Sequence, residues 1–360
     1  MSGVWGSNIK ISIFGESHGN AIGVNIDGLP SGFEINMDKV LLEMERRAPG
    51  KNQLSTARKE ADLPEILSGF FQGKTTGTPL CAIIRNSDTR SKDYAKTKDF
   101  MRPGHADYTG YERYLGFNDY RGGGHFSGRI TAPLVFAGAI CKQILESQGI
   151  FIGAHISSIK DINDEVFNEL RISKDELDTL RAMELPLINR SLEDKIRHTI
   201  MQAKYDGNSV GGTIECAIVG IEAGVGNPFF DSVESTLAHL MFSIPAIKGI
   251  EFGKGFDITK LYGSEANDEY YYNEGLVKTK TNNNGGVLGG ITNGMPILFK
   301  VAVKPTASIL KEQDTIDIKE KKDVKFRIEG RHDPCIVQRA VPVVEAVTAI
   351  GILDLIKGRY

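Results

Sequence analysis

The chain has 360 residues, 41% hydrophobic and 25% charged, the proportions of a folded globular protein rather than a disordered one. Its 43 basic and 46 acidic side chains leave a net charge of −3, which excludes a broad basic surface for nucleic acid and leaves anion binding to local clusters. No run approaches the roughly 20 apolar residues of a membrane span, no basic segment precedes a long apolar stretch at the N-terminus, and the four cysteines are dispersed, so the expectation is a cytoplasmic protein with reduced thiols.

Strands are predicted at Ile9–Phe14 and Ile22–Ile26 from their β-branched, alternating character. Asn36 then caps a helix with Val40, Leu41 and Met44 inward, stopped by Ala48-Pro49-Gly50. After a strand at Leu80–Ile84, Thr131 and Pro133 open a very apolar helix reaching Ser147. A strand at Ile150–Ile159 follows, and Ser191 with Asp194 resembles a capping box ahead of Leu192, Ile196 and Ile200. Beyond a strand at Gly212–Ile221, Asp231 with Glu234 opens a helix toward Phe242. A strand at Ile297–Val303 precedes the last helix, expected to open at Pro342 and end near Lys357-Gly358.

The helices opened at Thr131, Asp231 and Pro342 carry few charges on any face, which predicts burial between two other layers. The elements do not alternate as βαβ units. The expected class is therefore α+β, a layered β-α-α-β sandwich with helices between antiparallel sheets. Forty glycines are spread along the chain, with no repeat and no linker, so one domain over residues 1–360 is expected.

The chemistry-bearing residues fall in the loops. Gly15-Glu16-Ser17-His18-Gly19 sets an imidazole at a strand end, where it can act as acid or base. Arg46-Arg47 closes the first helix, a place that suits either the helix dipole or a fork for phosphate or carboxylate. Arg102-Pro103-Gly104-His105-Ala106-Asp107 gathers a cation, an imidazole and a carboxylate, and Arg121-Gly122-Gly123-Gly124 offers unobstructed backbone N–H groups. Thr281 to Gly290, with Lys304-Pro305-Thr306-Ala307-Ser308, supplies small residues and amides suited to a planar polar ring, and Gly330-Arg331-His332-Asp333-Pro334-Cys335 is again dense in ionisable groups. So many arginines would repel a divalent cation, and no metal-ligand spacing appears, so no metal is expected. The balance favours an anionic substrate carrying phosphate and carboxylate, with acid–base residues among the cations.

These motifs together resemble chorismate synthases: "GESHG", "RRAPG", "SGFFQGKTTGTPL", "RPGHADYTG", "DYRGGG" with "SGRITA", "GGVLGGITNGMPI", "KPTAS" and "GRHDPCIVQRAVPV". The resemblance implies a lyase that converts 5-enolpyruvylshikimate 3-phosphate to chorismate and phosphate, the last step of the shikimate pathway, by a 1,4-anti elimination that needs reduced FMN. It implies a homotetramer, with NADPH as reductant of the flavin or a separate flavin reductase as partner. His18 resembles the histidine that protonates the departing phosphate, His105 the one that protonates or neutralises reduced flavin, and Asp333 the carboxylate that relays a proton through flavin N5. Ser17 resembles a serine aiding proton relay, and Ser127 joins these catalytic positions. Arg47, Arg102, Arg129 and Arg331 match arginines around the substrate's phosphate and carboxylates. The flavin-binding pattern falls on His125, Phe126, Ser127, Ala246, Gly289, Lys304, Pro305, Thr306, Ala307, Ser308 and Arg331.

Departures from the family pattern are local. His125-Phe126 replaces the usual Arg-Ser, Gln53 replaces an arginine, Pro245 replaces a frequent asparagine, and "DYTGYERYLGF" has one residue more than the common spacing. The competing readings are a flavoprotein with net redox chemistry, which would consume nicotinamide in proportion to product, and a non-enzymatic anion- or RNA-binding protein.

Overall fold

The computed structural model describes residues 3–50, 54–55, 60–87, 98–328, 330 and 332–359. Two five-stranded antiparallel sheets enclose a helical layer. The first sheet comprises β1 (Val4–Trp5), β2 (Lys10–Gly15), β3 (Ala21–Asp27), β4 (Pro64–Ser68) and, after a ribbon of β5 (Phe70–Phe71) with β6 (Lys74–Thr75), β7 (Leu80–Arg85). Its order is β1-β2-β3-β7-β4. The second comprises β8 (Phe151–Ile159), β9 (Ile162–Asn163), β10 (Gly212–Val219) and β11 (Ile247–Phe252). Hairpins β12 (Tyr270–Asn273) with β13 (Leu276–Thr279), and β14 (Val287–Leu288) with β15 (Ile291–Thr292), come before its last strand, β16 (Ile297–Val303). The order is β11-β16-β10-β8-β9, and a hairpin of β17 (Gln313–Asp317) and β18 (Lys322–Phe326) follows.

Between the sheets lie α1 (Met37–Arg47), α3 (Thr131–Glu146), α6 (Val233–Ser243) and α8 (Val337–Lys357), while α2 (Asp107–Arg113), α4 (Lys174–Arg181), α5 (Glu193–Tyr205) and the single turn α7 (Gly263–Ala266) lie outside them. The helix α3 packs on β3 and β7, and α8 on β8 and β10, so the layered α+β sandwich expected from the sequence is what forms. Both helices are buried along almost their whole length because neither carries a polar face. They cross at Gly138, where a Cβ would lie 2.4 Å from the Cα of Ala346, so only glycine allows the approach. One continuous apolar core runs from Ile9 on β2's approach to Leu355 of α8.

Helix starts differ from expectation in three places. The Oδ1 of Asn189, not Ser191, caps the turn leading to α5, and Ser191 Oγ donates to that same oxygen at 2.6 Å. Ser232, not Asp231, caps α6, accepting from the Ser235 N–H at 3.0 Å. The last helix opens at Val337, and Pro342 sits inside it, where its ring forgoes one backbone bond. In α1 the inward face is Val40, Glu43, Met44 and Arg47, with Leu41 36% exposed. All four cysteines are free thiols, and Cys335 is fully buried.

Candidate active site

The strand β2 ends at Gly15, and the chain turns back into β3 through Glu16 to Asn20, with the Gly19 N–H donating to the Glu16 carbonyl at 3.0 Å. The Arg121–Phe126 turn packs against this corner: the Ser17 N–H donates to the Gly124 carbonyl at 3.1 Å, and Ser17 Oγ donates to the Arg121 carbonyl at 3.2 Å. Gly122 and Gly123 hold φ values of 62° and 102°, a region that favours glycine. Their missing side chains make room for two imidazoles. A Cβ on Gly122 would lie 2.1 Å from His18 Cε1, and one on Gly123 3.1 Å from His105 Nε2. Consecutive glycines thus bring His18 and His105, 87 positions apart by their numbers, to one place.

Each imidazole has its own support. Ser17 is fully buried, and its Oγ lies 3.1 Å from His18 Nδ1. His105 Nδ1 lies 2.8 Å from Asp107 Oδ1, and Arg102 donates to the same carboxylate through Nε and Nη2, each at 2.6 Å. Burial alone would raise the Asp107 carboxyl; Arg102 and His105 outweigh it and hold it well below the ordinary range. His105 Nδ1 is thus held between Asp107 Oδ1 and, at 3.2 Å, Arg102 Nη2, and Nε2 is the nitrogen that faces Gly123.

Beside the histidine corner is a buried cluster of guanidinium groups. Arg47 ends α1 and Arg129 lies in the short turn before α3, and each pairs with one oxygen of Asp62. Arg339 of α8 donates through Nε to the Arg47 carbonyl at 3.1 Å and through Nη1 to Asp333 Oδ2 at 2.7 Å. Asp333 therefore joins the same cluster. Burial, with Arg339 and Arg129 nearby, pulls the Arg47 guanidinium down to about 10 against the pull of Asp62. It remains cationic at neutral pH, and the buried Glu60 carboxylate, 3.9 Å from Arg129 Nη2, adds a second acid to the cluster.

A third group meets the His105 turn from the other sheet. Lys304 Nζ donates to the Gly104 carbonyl, the Lys304 N–H donates to the Ala246 carbonyl at 3.0 Å, and a Cβ on Gly104 would sit 3.5 Å from the Ala307 methyl. Ser209 Oγ donates to the Thr306 carbonyl at 2.7 Å, which fixes the middle of the Lys304–Ser308 loop through Pro305 and Thr306. Ala246, Lys304, Ala307 and the His105 turn are thus contiguous.

Other expected residues are placed differently. His125 Nδ1 lies 2.9 Å from the Gly15 carbonyl and clamps the end of β2. The Phe126 ring faces α2, 6.1 Å from the Tyr114 ring centroid and tight against Gly110. Ser127 Oγ accepts from the Arg129 N–H at 3.2 Å and caps the turn that carries that arginine. Gly289 is in the β14–β15 turn, whose Gly290 carbonyl accepts from Val233 at the start of α6. Ala246 follows the far end of that helix, about 16 Å along its axis at ~1.5 Å per residue. Within one chain, then, Gly289 is not brought to the Ala246 group. Arg331 and Gln53 lie outside the described residues.

Three residues of the site carry no role assigned from the sequence: Asp62, Arg339, although it falls within "GRHDPCIVQRAVPV", and Asn86, which is bonded to both the histidine turn and Arg129. Each acts through partners distant in the chain. Asp62 holds a left-handed backbone at φ 50°.

The comparisons with known proteins agree with one another. A family model described as Chorismate synthase matches residues 9–356. A chorismate synthase of Pyrococcus abyssi is 46% identical over 350 residues, covering 97% of this chain and 96% of its own. One of Methanocaldococcus jannaschii is 43% identical over 370 residues, covering 100% and 98%. A crystal structure of chorismate synthase aligns with a TM-score of 0.75 at 28% identity, covering 98% of this chain and 92% of that one. The matched span takes in both sheets, the histidine corner and the guanidinium cluster, and the chain belongs to the chorismate synthase family.

Proposed function

We propose that this chain converts 5-enolpyruvylshikimate 3-phosphate to chorismate and inorganic phosphate by a 1,4-anti elimination that requires reduced FMN and leaves it unoxidised overall. The observation that carries the reading is the convergence of His18 and His105 on Gly122-Gly123, beside the buried Arg47 and Arg129 and the half-buried Arg339. A phosphate leaving group needs a proton and positive charge, and this corner supplies both.

The residues present fit a flavin. Thr306 Oγ1 is buried with no hydrogen-bond partner among the described residues, in a loop that packs on the His105 turn, and this orphan atom suits a polar ring edge. Ala246, Lys304, Pro305, Thr306, Ala307 and Ser308 would hold the ring, with Ser127 and His125 near the glycine turn, and Gly289 joining only from outside this group. When bound, reduced flavin supplies an electron-rich ring that stabilises an electron-poor centre as phosphate departs. His18, as imidazolium, delivers its proton to the departing phosphate oxygen, with Ser17 Oγ holding Nδ1. His105 holds one proton on Nδ1 through Asp107 and exchanges the other at Nε2. Asp333, oriented by Arg339, is the carboxylate that ends with the substrate's proton. Arg47, Arg102 and Arg129 bind and orient the anionic groups, a role that Arg331 shares in the resemblance.

Homotetramer formation, NADPH as reductant and a separate flavin reductase are parts of the same proposal. Exposed apolar side chains such as Phe256, Tyr262 and Tyr272, each about four-fifths exposed, support an assembly that covers them. The test is anaerobic: chemically reduced FMN, pure protein and substrate should release one phosphate per chorismate without consuming nicotinamide. Absence of phosphate release, or nicotinamide oxidation in proportion to product, would overturn the reading in favour of a net redox flavoprotein.

A further inference from the structure

Asn86 is the first residue beyond β7, half-buried where that strand meets the histidine turn. Its N–H donates to the Asn20 carbonyl at 3.2 Å, extending the pairing of β3 with β7. Its side chain makes three further bonds. Nδ2 donates to the Glu16 carbonyl at 3.1 Å and to the Gly19 carbonyl at 2.8 Å, while Oδ1 accepts from Arg129 Nε at 3.0 Å. Two carbonyls at one end and a guanidinium at the other settle which end is nitrogen. Those carbonyls flank the Ser17-His18 pair on either side, so one amide clasps the dipeptide that carries the imidazole.

We propose that Asn86 is a positioning residue for the elimination, setting the distance between the His18 proton donor and the Arg129 cation; the inference rests on the roles given to those two residues above. The amide is suited to this task because it carries two donors and an acceptor in one plane. A carboxylate of the same shape has no donor. Arg129 is also held at Nη1 by Asp62 and at Nη2 by the Arg85 carbonyl at 3.4 Å, with Glu60 Oε2 3.9 Å away, and the Asn86 contact is the one at Nε.

Two variants separate the arms of the contact. Asn86→Asp keeps an acceptor for Arg129 Nε and removes both donors to the histidine turn. Misplacing a reacting group by about 1 Å costs about 100-fold in rate, so kcat should fall by that order while KM for the substrate changes little. Asn86→Ala loses both arms, and should lower kcat and raise KM. A second readout needs neither flavin nor turnover. The new carboxylate beside the turn favours the imidazolium, so the NMR titration of the His18 ring should move to higher pH in Asn86→Asp and not in Asn86→Ala. Wild-type kcat with an unmoved titration in Asn86→Asp overturns the proposal, as does a loss confined to KM in both variants. If Asn86→Asp fails to fold by circular dichroism, the kcat and KM pattern of Asn86→Ala decides. If the wild-type chain releases no phosphate, the proposed reaction has failed, and the ring titration alone judges Asn86.

Discussion

Gly122 has no space for a methyl group, because a Cβ there would fall 2.1 Å from His18 Cε1 and 2.9 Å from Ser17 Oγ. Its φ of 62° adds a penalty of about 1–2 kcal/mol for an L side chain. Gly122→Ala should therefore lose about that much stability in urea unfolding, and should lower phosphate release by at least about tenfold, since His18 must leave its place. Unchanged turnover in a folded Gly122→Ala protein would separate His18 from the chemistry. Gly123→Ala meets only His105 ring atoms at 3.1 Å, which a small shift relieves, so its cost should come mainly from the backbone, whose φ of 102° disfavours an L side chain. The bare backbone of "RGGG" was legible in the sequence. What fills the space was not, because Ser17 and Arg121 are 104 residues apart and nothing local reports their contact. The same limit hid Asp62 and Arg339. Their roles arise where α1, α8 and the turn before α3 end together.

At the level of elements, α1, α3 and α8 bury charge as well as apolar surface. Glu345 is fully buried in α8 and accepts from Arg46 at 2.6 and 3.0 Å, from Lys142 at 2.7 Å and from the Ala154 N–H at 3.1 Å, while Glu43 accepts from Arg46 at 2.7 Å and Lys142 at 2.8 Å. Burial alone would raise the Glu345 carboxyl, but Arg46, Lys142 and Arg181 outweigh it and hold it below the usual 4.5. A depressed carboxyl contributes stability above its unfolded value and loses it as pH falls through the folded one. Glu345→Gln strands buried cations, so it should cost about 3–5 kcal/mol at neutral pH. The gap between variant and wild type should close in strong acid, as urea melts across that range will register; a constant gap would mean that Glu345 acts by packing alone. The apolar runs of α3 and α8 made their burial legible from sequence, whereas Lys142 and Glu345 looked like isolated polar residues. In the same way nothing in "FIGAHISSI" marks His155 as enclosed between Asp164 at 3.1 Å and Glu215 at 2.8 Å. Partners define such residues, and partners come from other elements.

For the whole molecule, strand pairing was the least legible feature, because β3 pairs with β7 and β10 with β16 across long stretches of chain. The two chain ends are tied together as well: Asp354 near the end of α8 accepts from the N–H groups of Ser7, Asn8 and Ile9 at 3.1, 2.6 and 2.7 Å. Against this closed core, the hairpin of β12 and β13 stands out, with Tyr272 81% and its cross-strand neighbour Val277 50% exposed. Such side chains cost a monomer little when changed, within about 0.5 kcal/mol, but a symmetric assembly would bury them on every copy. Tyr272→Glu with Val277→Lys removes the apolar pair and replaces it with opposite charges that can still pair across the strands. The wild-type protein should sediment as a tetramer, and the double variant as a smaller species with an unchanged circular dichroism spectrum. A wild-type monomer would refute the assembly, and a double variant that stays tetrameric would take this hairpin out of its interfaces.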